Sequence, residues 1–199
     1  FRDVVWRESQ LEILVHEPIP AGKTEQVSFW GWPRERRSWD WKVDEGQPMQ
    51  VNVYTRYPVI RLELNGRTVG EVKRSEDSGL TATFSVPYEK GTLRAIGIRD
   101  GNEIESKSLQ TTGPVTRLKV IPERTTIEAD RGEIVYIQLL ATDDQDRLVP
   151  MAEMPVKVEV SGDGQLLAAG SAAPTVQGSL SDPLVPLFRG RALIIVRSN

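Results

Sequence analysis

The stretch from Val51 to Gly70, VNVYTRYPVIRLELNGRTVG, alternates apolar and polar residues, breaks at Tyr57-Pro58, alternates again and turns at Asn65-Gly66. Before the break, Met49, Val51 and Val53 point one way and Gln50 and Asn52 the other; after it, Ile60, Leu62 and Leu64 alternate with Arg61 and Glu63. A period of two puts every second side chain on one face, which is the pattern of a half-buried strand. Asn-Gly supplies two residues that tolerate positive φ, as a type I′ turn requires. The stretch therefore predicts a β-hairpin at the centre of an all-β module.

Similar signals recur along the chain. Leu11, Ile13 and Val15 alternate in a run closed by Pro18 and Pro20, an edge-strand pattern. Residues 24–30 are a further short strand candidate, and residues 1–9 space Phe1, Val4, Val5 and Trp6 as one or two helical turns would. Thr81–Val86, Thr92–Arg99 and Glu103–Gln110 follow, the last two joined by Asp100-Gly101. The segment Thr111-Thr112-Gly113-Pro114 reads as a hinge. Beyond it, strands are expected at 116–121, 126–129, 133–142, 156–161, 165–170 and 191–197, with a long loop over 171–186. Ile134 to Leu140 is nearly continuously apolar, as expected where a strand is covered on both sides. The predicted architecture is two tandem immunoglobulin-like β-sandwich domains, 38–112 and 113–199, preceded by an arm or linker over 1–37.

Composition narrows the function. With 199 residues, 39% hydrophobic content and 27% charge, the chain has enough apolar surface for such cores. A net charge of −3 argues against nucleic acid as a partner, and no apolar run approaches the roughly 20 residues of a membrane span. The absence of cysteine excludes disulfides and thiol chemistry. The only histidine, His16, lies beside Glu17-Pro18 and cannot supply a metal site or a triad by itself. Asp143-Asp144-Gln145-Asp146 has closely spaced carboxylates but lacks the glycine and distal glutamate of an EF-hand; a solvated acidic turn is expected. No cofactor, metal or catalytic residue is assigned.

Residues 29–41, FWGWPRERRSWDW, fit neither period and hold four of the five tryptophans. The recognition candidates are Trp30, Trp32, Arg34, Arg36, Arg37, Trp39 and Trp41. Aromatic faces stack on sugars and guanidinium groups hold hydroxyls or carboxylates. Three readings stay open for them: packing within their own module, docking on a neighbouring domain, or binding carbohydrate.

Against these residues, the chain resembles the C-terminal part of glycoside hydrolase family 2 enzymes, the β-galactosidase-like members of Bacteroidetes. FRDVVW is similar to the last helix leaving the catalytic barrel, and Ser38-Trp39-Asp40-Trp41 to the Trp-x-Trp that opens the next domain. Val51–Gly70 and Thr83–Gly101 resemble that domain's strand signatures, and LQTTGPVTRLKV its junction to a final immunoglobulin-like domain. Glu123-Arg124, Val149-Pro150, Gly162-Asp163-Gly164 and Phe188–Asn199 resemble features of that last domain. Gly170-Ser171-Ala172-Ala173 departs from the Gly-Asn-Gly-Asp carried by many relatives.

The resemblance implies a retaining glycosidase whose two catalytic glutamates lie on a barrel outside this sequence. It also implies that the chain's partner is its own catalytic barrel, with carbohydrate as a further partner, in the periplasm or at the cell surface. Residues 1–9 and the Trp/Arg stretch are then surfaces made for that barrel. The function expected is a non-catalytic accessory region; a carbohydrate-binding module or an adhesion repeat are the alternatives.

Overall fold

A computed structural model describes all residues except 28, 32, 76–78, 130–131 and 176–177. Nearly everything regular is antiparallel β-structure, and the chain divides into two compact units, Phe1–Thr111 and Thr112–Asn199.

The first unit begins with a short helix, α1 (Arg2–Val5), and strand β1 (Leu11–His16). Then come β2 (Glu35–Arg36), β3 (Pro48–Thr55), β4 (Val59–Leu64), β5 (Arg67–Lys73), β6 (Thr81–Pro87), β7 (Thr92–Arg99) and β8 (Asn102–Gln110). They form two four-stranded sheets, β2-β1-β3-β6 and β5-β4-β7-β8. Tyr57-Pro58 is where the chain leaves one sheet for the other. As a result the face of Val51 and Val53 meets that of Ile60, Leu62 and Leu64 in one core. The hairpin itself is β4–β5, and Asn65 and Gly66 take φ of 52° and 76°, as a type I′ turn needs.

Residues 1–37, set apart as an arm by their sequence, are built into this unit. β1 is an inner strand, paired with β2 and β3, because Leu11, Ile13 and Val15 fill the same core. Val4 is buried, and the Arg56 guanidinium donates to the Val4 and Val5 carbonyls at 2.9 Å, closing the end of α1. No strand forms among the described residues of 24–30.

The second unit holds β9 (Arg117–Pro122), β10 (Ile134–Thr142), β11 (Pro155–Lys157), β12 (Gly164–Gly170), β13 (Leu184–Pro186) and β14 (Arg191–Ser198). A four-stranded sheet, β12-β14-β10-β9, accompanies the two-stranded β11-β13. Leu139, Ala141, Ala192 and Ile194 of the larger sheet share a core with Val149, Ala152, Val185 and Leu187.

Several segments differ from their sequence pattern. The strand expected over 156–161 stops at Lys157: Val158 N–H still donates to the Pro183 carbonyl at 2.7 Å, but Pro183 has no N–H to return and the ladder ends. Its partner, β13, lies in what reads as loop. Residues 126–129 are not a strand: the Glu128 N–H is taken by the Glu133 carboxylate at 3.1 Å rather than by a ladder.

The acidic turn also differs, because Asp143 is buried rather than solvated. It accepts from the N–H groups of Gly113, Gln145 and Arg147 at 2.9–3.0 Å and from the Arg147 guanidinium at 2.7 and 2.9 Å. Burial alone would raise its pKa. The Arg147 ion pair and the backbone donors outweigh that and hold the carboxyl well below the usual range.

Candidate functional site

Alternation in β1 sends Leu11, Ile13 and Val15 inward and therefore turns Glu12 and His16 to the opposite face of the first sheet. Asn52 and Tyr54 of β3 share that face, yet Glu12, Asn52 and Tyr54 are buried. Side chains of the Trp/Arg stretch, whose Glu35 and Arg36 form the edge strand β2, close over them by charge, and the Phe1 ring meets Tyr54 edge to face at 5.4 Å.

The anchoring runs through four glutamates. Glu35 accepts from the Tyr54 hydroxyl at 2.7 Å and from the Asn52 amide, whose oxygen in turn accepts from Thr83 at 2.8 Å. Burial first, then the hydrogen bond to Glu35, push the Tyr54 hydroxyl pKa upward. Glu17 pairs with Arg36 and, at 3.2 Å, with Arg34. Arg37 reaches Glu12 at 2.9 Å, and Lys107 of β8 meets the same carboxylate at 2.6 Å. Desolvation opposes the charge on Glu12, but Lys107, Ser9 and Arg37 together lower its pKa.

Glu25 is held below the ordinary carboxylate range by the Arg34 N–H, at 3.1 Å, and then by His16. The His16 ring lies between two acceptors, the Glu17 carbonyl on Nδ1 and the Glu25 carboxylate on Nε2, each at 2.9 Å. His16 thus ties the 18–34 segment to the sheet.

The tryptophans separate. Trp39 is 0% exposed, donates its indole N–H to the Glu89 carbonyl at 2.8 Å, and packs on Tyr88 with ring centroids 5.2 Å apart. Trp41 is also in the core, with the Arg36 guanidinium 5.5 Å above its ring. Neither presents a face to a sugar or a neighbour, which corrects their place among the recognition candidates. Burial, joined for Trp39 by the Glu89 bond, puts both in their own module. Trp30 is 76% exposed and Phe29 97%, and their rings meet edge to face at 5.7 Å. Trp32 lies outside the described residues. Arg34, Arg36 and Arg37 are the ion-pair anchors described above.

The sequence reading named the arginines but missed Glu12, Glu17, Glu25 and Glu35. The signal was available for Glu12, since strand alternation puts it on the Arg-facing side. The other three lie in segments without periodicity. Among the described residues no cluster of three or more potential metal ligands occurs.

These features define a class: an all-β, two-unit region that exposes an aromatic pair, Phe29 and Trp30. Residues 118–199 match the family "Glycoside hydrolase family 2 C-terminal domain 5", and residues 46–105 match a family described as "Domain of unknown function (DUF4982)". A solved glycosyl hydrolase family 2 member from Bacteroides cellulosilyticus superposes with a TM-score of 0.83 at 29% identity, covering 100% of this chain and 26% of that one. Beta-galactosidase BoGH2A of Bacteroides ovatus is 24% identical over 161 residues, 81% of this chain and 19% of that protein. A beta-glucuronidase of Formosa agariphila is 25% identical over 126 residues, 61% of this chain and 13% of its own length. The chain belongs to the C-terminal β-sandwich region of glycoside hydrolase family 2. It spans 19% and 13% of the lengths of these two curated relatives.

Proposed function

We propose that this chain is a non-catalytic accessory region of a family 2 glycosidase, β-galactosidase-like in type, and that Phe29 and Trp30 dock it on the catalytic domain. One observation carries this: Phe29 and Trp30 stand out of a unit whose Trp39 and Trp41 are buried. An exposed aromatic pair on a soluble unit marks a contact surface. The length of the relatives beyond the matched region supports a large partner within the same polypeptide. The ion pairs of Arg34, Arg36 and Arg37 then serve to present this loop rather than to bind substrate.

In a full-length enzyme carrying this region, Phe29→Ser with Trp30→Ser is expected to lower thermal stability and shorten the half-life of activity. The kcat of freshly folded enzyme should stay unchanged. Unaltered melting and half-life would overturn the docking role. Titration of the chain with galactosides, glucuronides and plant polysaccharides tests the carbohydrate alternative. Saturable binding abolished by Trp30→Ala would replace the accessory reading with sugar recognition.

A further inference from the structure

An antiparallel sheet with one face in solvent is ordinarily polar there. The outer face of the second unit's larger sheet is not. Across the strands, Lys119, Leu140 and Arg191 form one row, Ile121, Gln138, Leu193 and Gly170 the next, and Tyr136, Ile195 and Ala168 a third. The apolar run of β10 suggested a strand covered on both sides; instead Tyr136 is 47% exposed and Leu193 40%.

The described residue that overhangs this face is Leu180, whose carbonyl accepts from Ala169 N–H at 2.6 Å. Gly170 permits the approach, since a Cβ there would lie 2.8 Å from Leu180 Cδ2. Between Leu180 and a floor of Leu140, Leu193, Ile195 and Ala168 runs a groove of about 460 Å³, a volume typical of small-molecule sites. Its mouth is lined by the small residues Ser171 and Ala172, within the tetrapeptide 170–173 that departs from the family pattern.

Besides the Ser171 hydroxyl, polarity in the groove comes from Gln138 and Arg191. Among the described residues neither side chain makes a hydrogen bond or ion pair. No carboxylate lines the groove, and Asp146, near this end of the sheet, is taken by Lys119. A guanidinium beside an apolar trough is complementary to one kind of ligand: an apolar body ending in a planar anion.

We propose that this groove binds an amphiphilic carboxylate, its apolar body under Leu180 and its carboxylate on the Arg191 fork. The site shares no residue with the docking role: Arg191 and Leu193 lie in the second unit and Phe29 and Trp30 in the first.

All five tryptophans precede residue 42, so methyl NMR of the whole chain is the better reporter. Octanoate, octanol and octylamine share one apolar body and differ in charge. Octanoate is expected to shift the Leu140, Leu193 and Ile195 methyls and to bind about 10-fold more tightly than octanol, as one charge-assisted pair allows. Arg191→Gln should reduce octanoate to the affinity of octanol, and Leu193→Asp should remove both. The proposal is overturned by octylamine binding as well as octanoate, by no octanoate binding at millimolar concentration, or by octanoate affinity unchanged in Arg191→Gln. Self-association abolished by Leu193→Asp but not competed by octanoate would give the face to a second copy of the chain, and overturn it too.

Discussion

The ring of Tyr57 rests on the bare backbone of Gly97. A Cβ built on Gly97 would lie 2.6 Å from Tyr57 Cγ, inside any real carbon–carbon contact. Gly97 pairs with Ile60 two residues past the Tyr57-Pro58 break, so this contact seats the crossing from one sheet to the other. The Tyr57 hydroxyl donates to Glu105 at 3.0 Å, and the Arg99 guanidinium lies 5.3 Å from the ring.

Gly97→Ala should therefore destabilise the first unit by at least about 2 kcal/mol, the scale of overpacking a filled site. Tyr57→Phe, which keeps the ring and loses one hydrogen bond, should cost about 1 kcal/mol. Urea denaturation followed by tryptophan fluorescence measures both. A neutral Gly97→Ala would mean that Tyr57 can move aside.

Trp39→Ala removes a fully buried ring and its bond to Glu89, so a loss of about 3–5 kcal/mol is expected. Trp30→Ala, in the isolated chain, should fall within about 0.5 kcal/mol of wild type because its ring is mostly in water. Equal effects would erase the distinction between core and presented tryptophans.

Asn65 and Gly91 are coupled. Gly91 takes φ of 135°, and a Cβ there would lie 2.6 Å from Asn65 Cγ. Asn65 accepts from Thr92 N–H at 2.8 Å and donates to Glu89 and the Lys90 carbonyl at 2.8 and 3.0 Å. Gly91→Ala should cost at least about 2 kcal/mol through both overlap and backbone strain. Adding Asn65→Gly relieves the overlap but not the strain, so the double variant should be more stable than the sum of the singles predicts. Strict additivity in denaturant titrations would exclude the coupling.

Asp143 sets a pH dependence in the second unit. Its folded pKa lies below the unfolded carboxylate value of about 3.9. Its stabilising contribution is thus complete above about pH 4 and is lost as pH falls through the folded value. Calorimetry should show the second unit's Tm falling as pH drops below about 4. Asp143→Asn should lower that Tm at pH 7 and flatten the acid slope; an unchanged slope would assign the acid sensitivity to other groups.

Strand alternation and the Asn-Gly and Asp-Gly turns made most of the first unit legible, since each depends on neighbours two residues away. The hairpin at Asn65-Gly66, the break at Tyr57-Pro58 and the core faces of β3 and β4 could all be read before any packing was known. Segments held by single long-range bonds were not legible. β2 exists because Glu35 and Arg36 reach His16 and Val15, and β13 because Val185 meets Val156.

The candidate sites divide in the same way. Trp30 and Trp39 stand in the same aromatic, arginine-rich stretch, and no local pattern tells them apart. What separates them is the Glu89 carbonyl and the Tyr88 ring, fifty and forty-nine residues beyond Trp39, which tertiary structure alone brings to it. The open face of β10 is equally a tertiary outcome. An apolar strand announces that it will be covered, but which side stays bare depends on where the rest of the chain finds its own burial. Sequence by itself determined the all-β class, the turns and the absence of thiol chemistry, because those follow from residue type and a two-residue period. Tertiary structure decided which aromatic and basic side chains remain available, because burial is a property of contacts between distant segments.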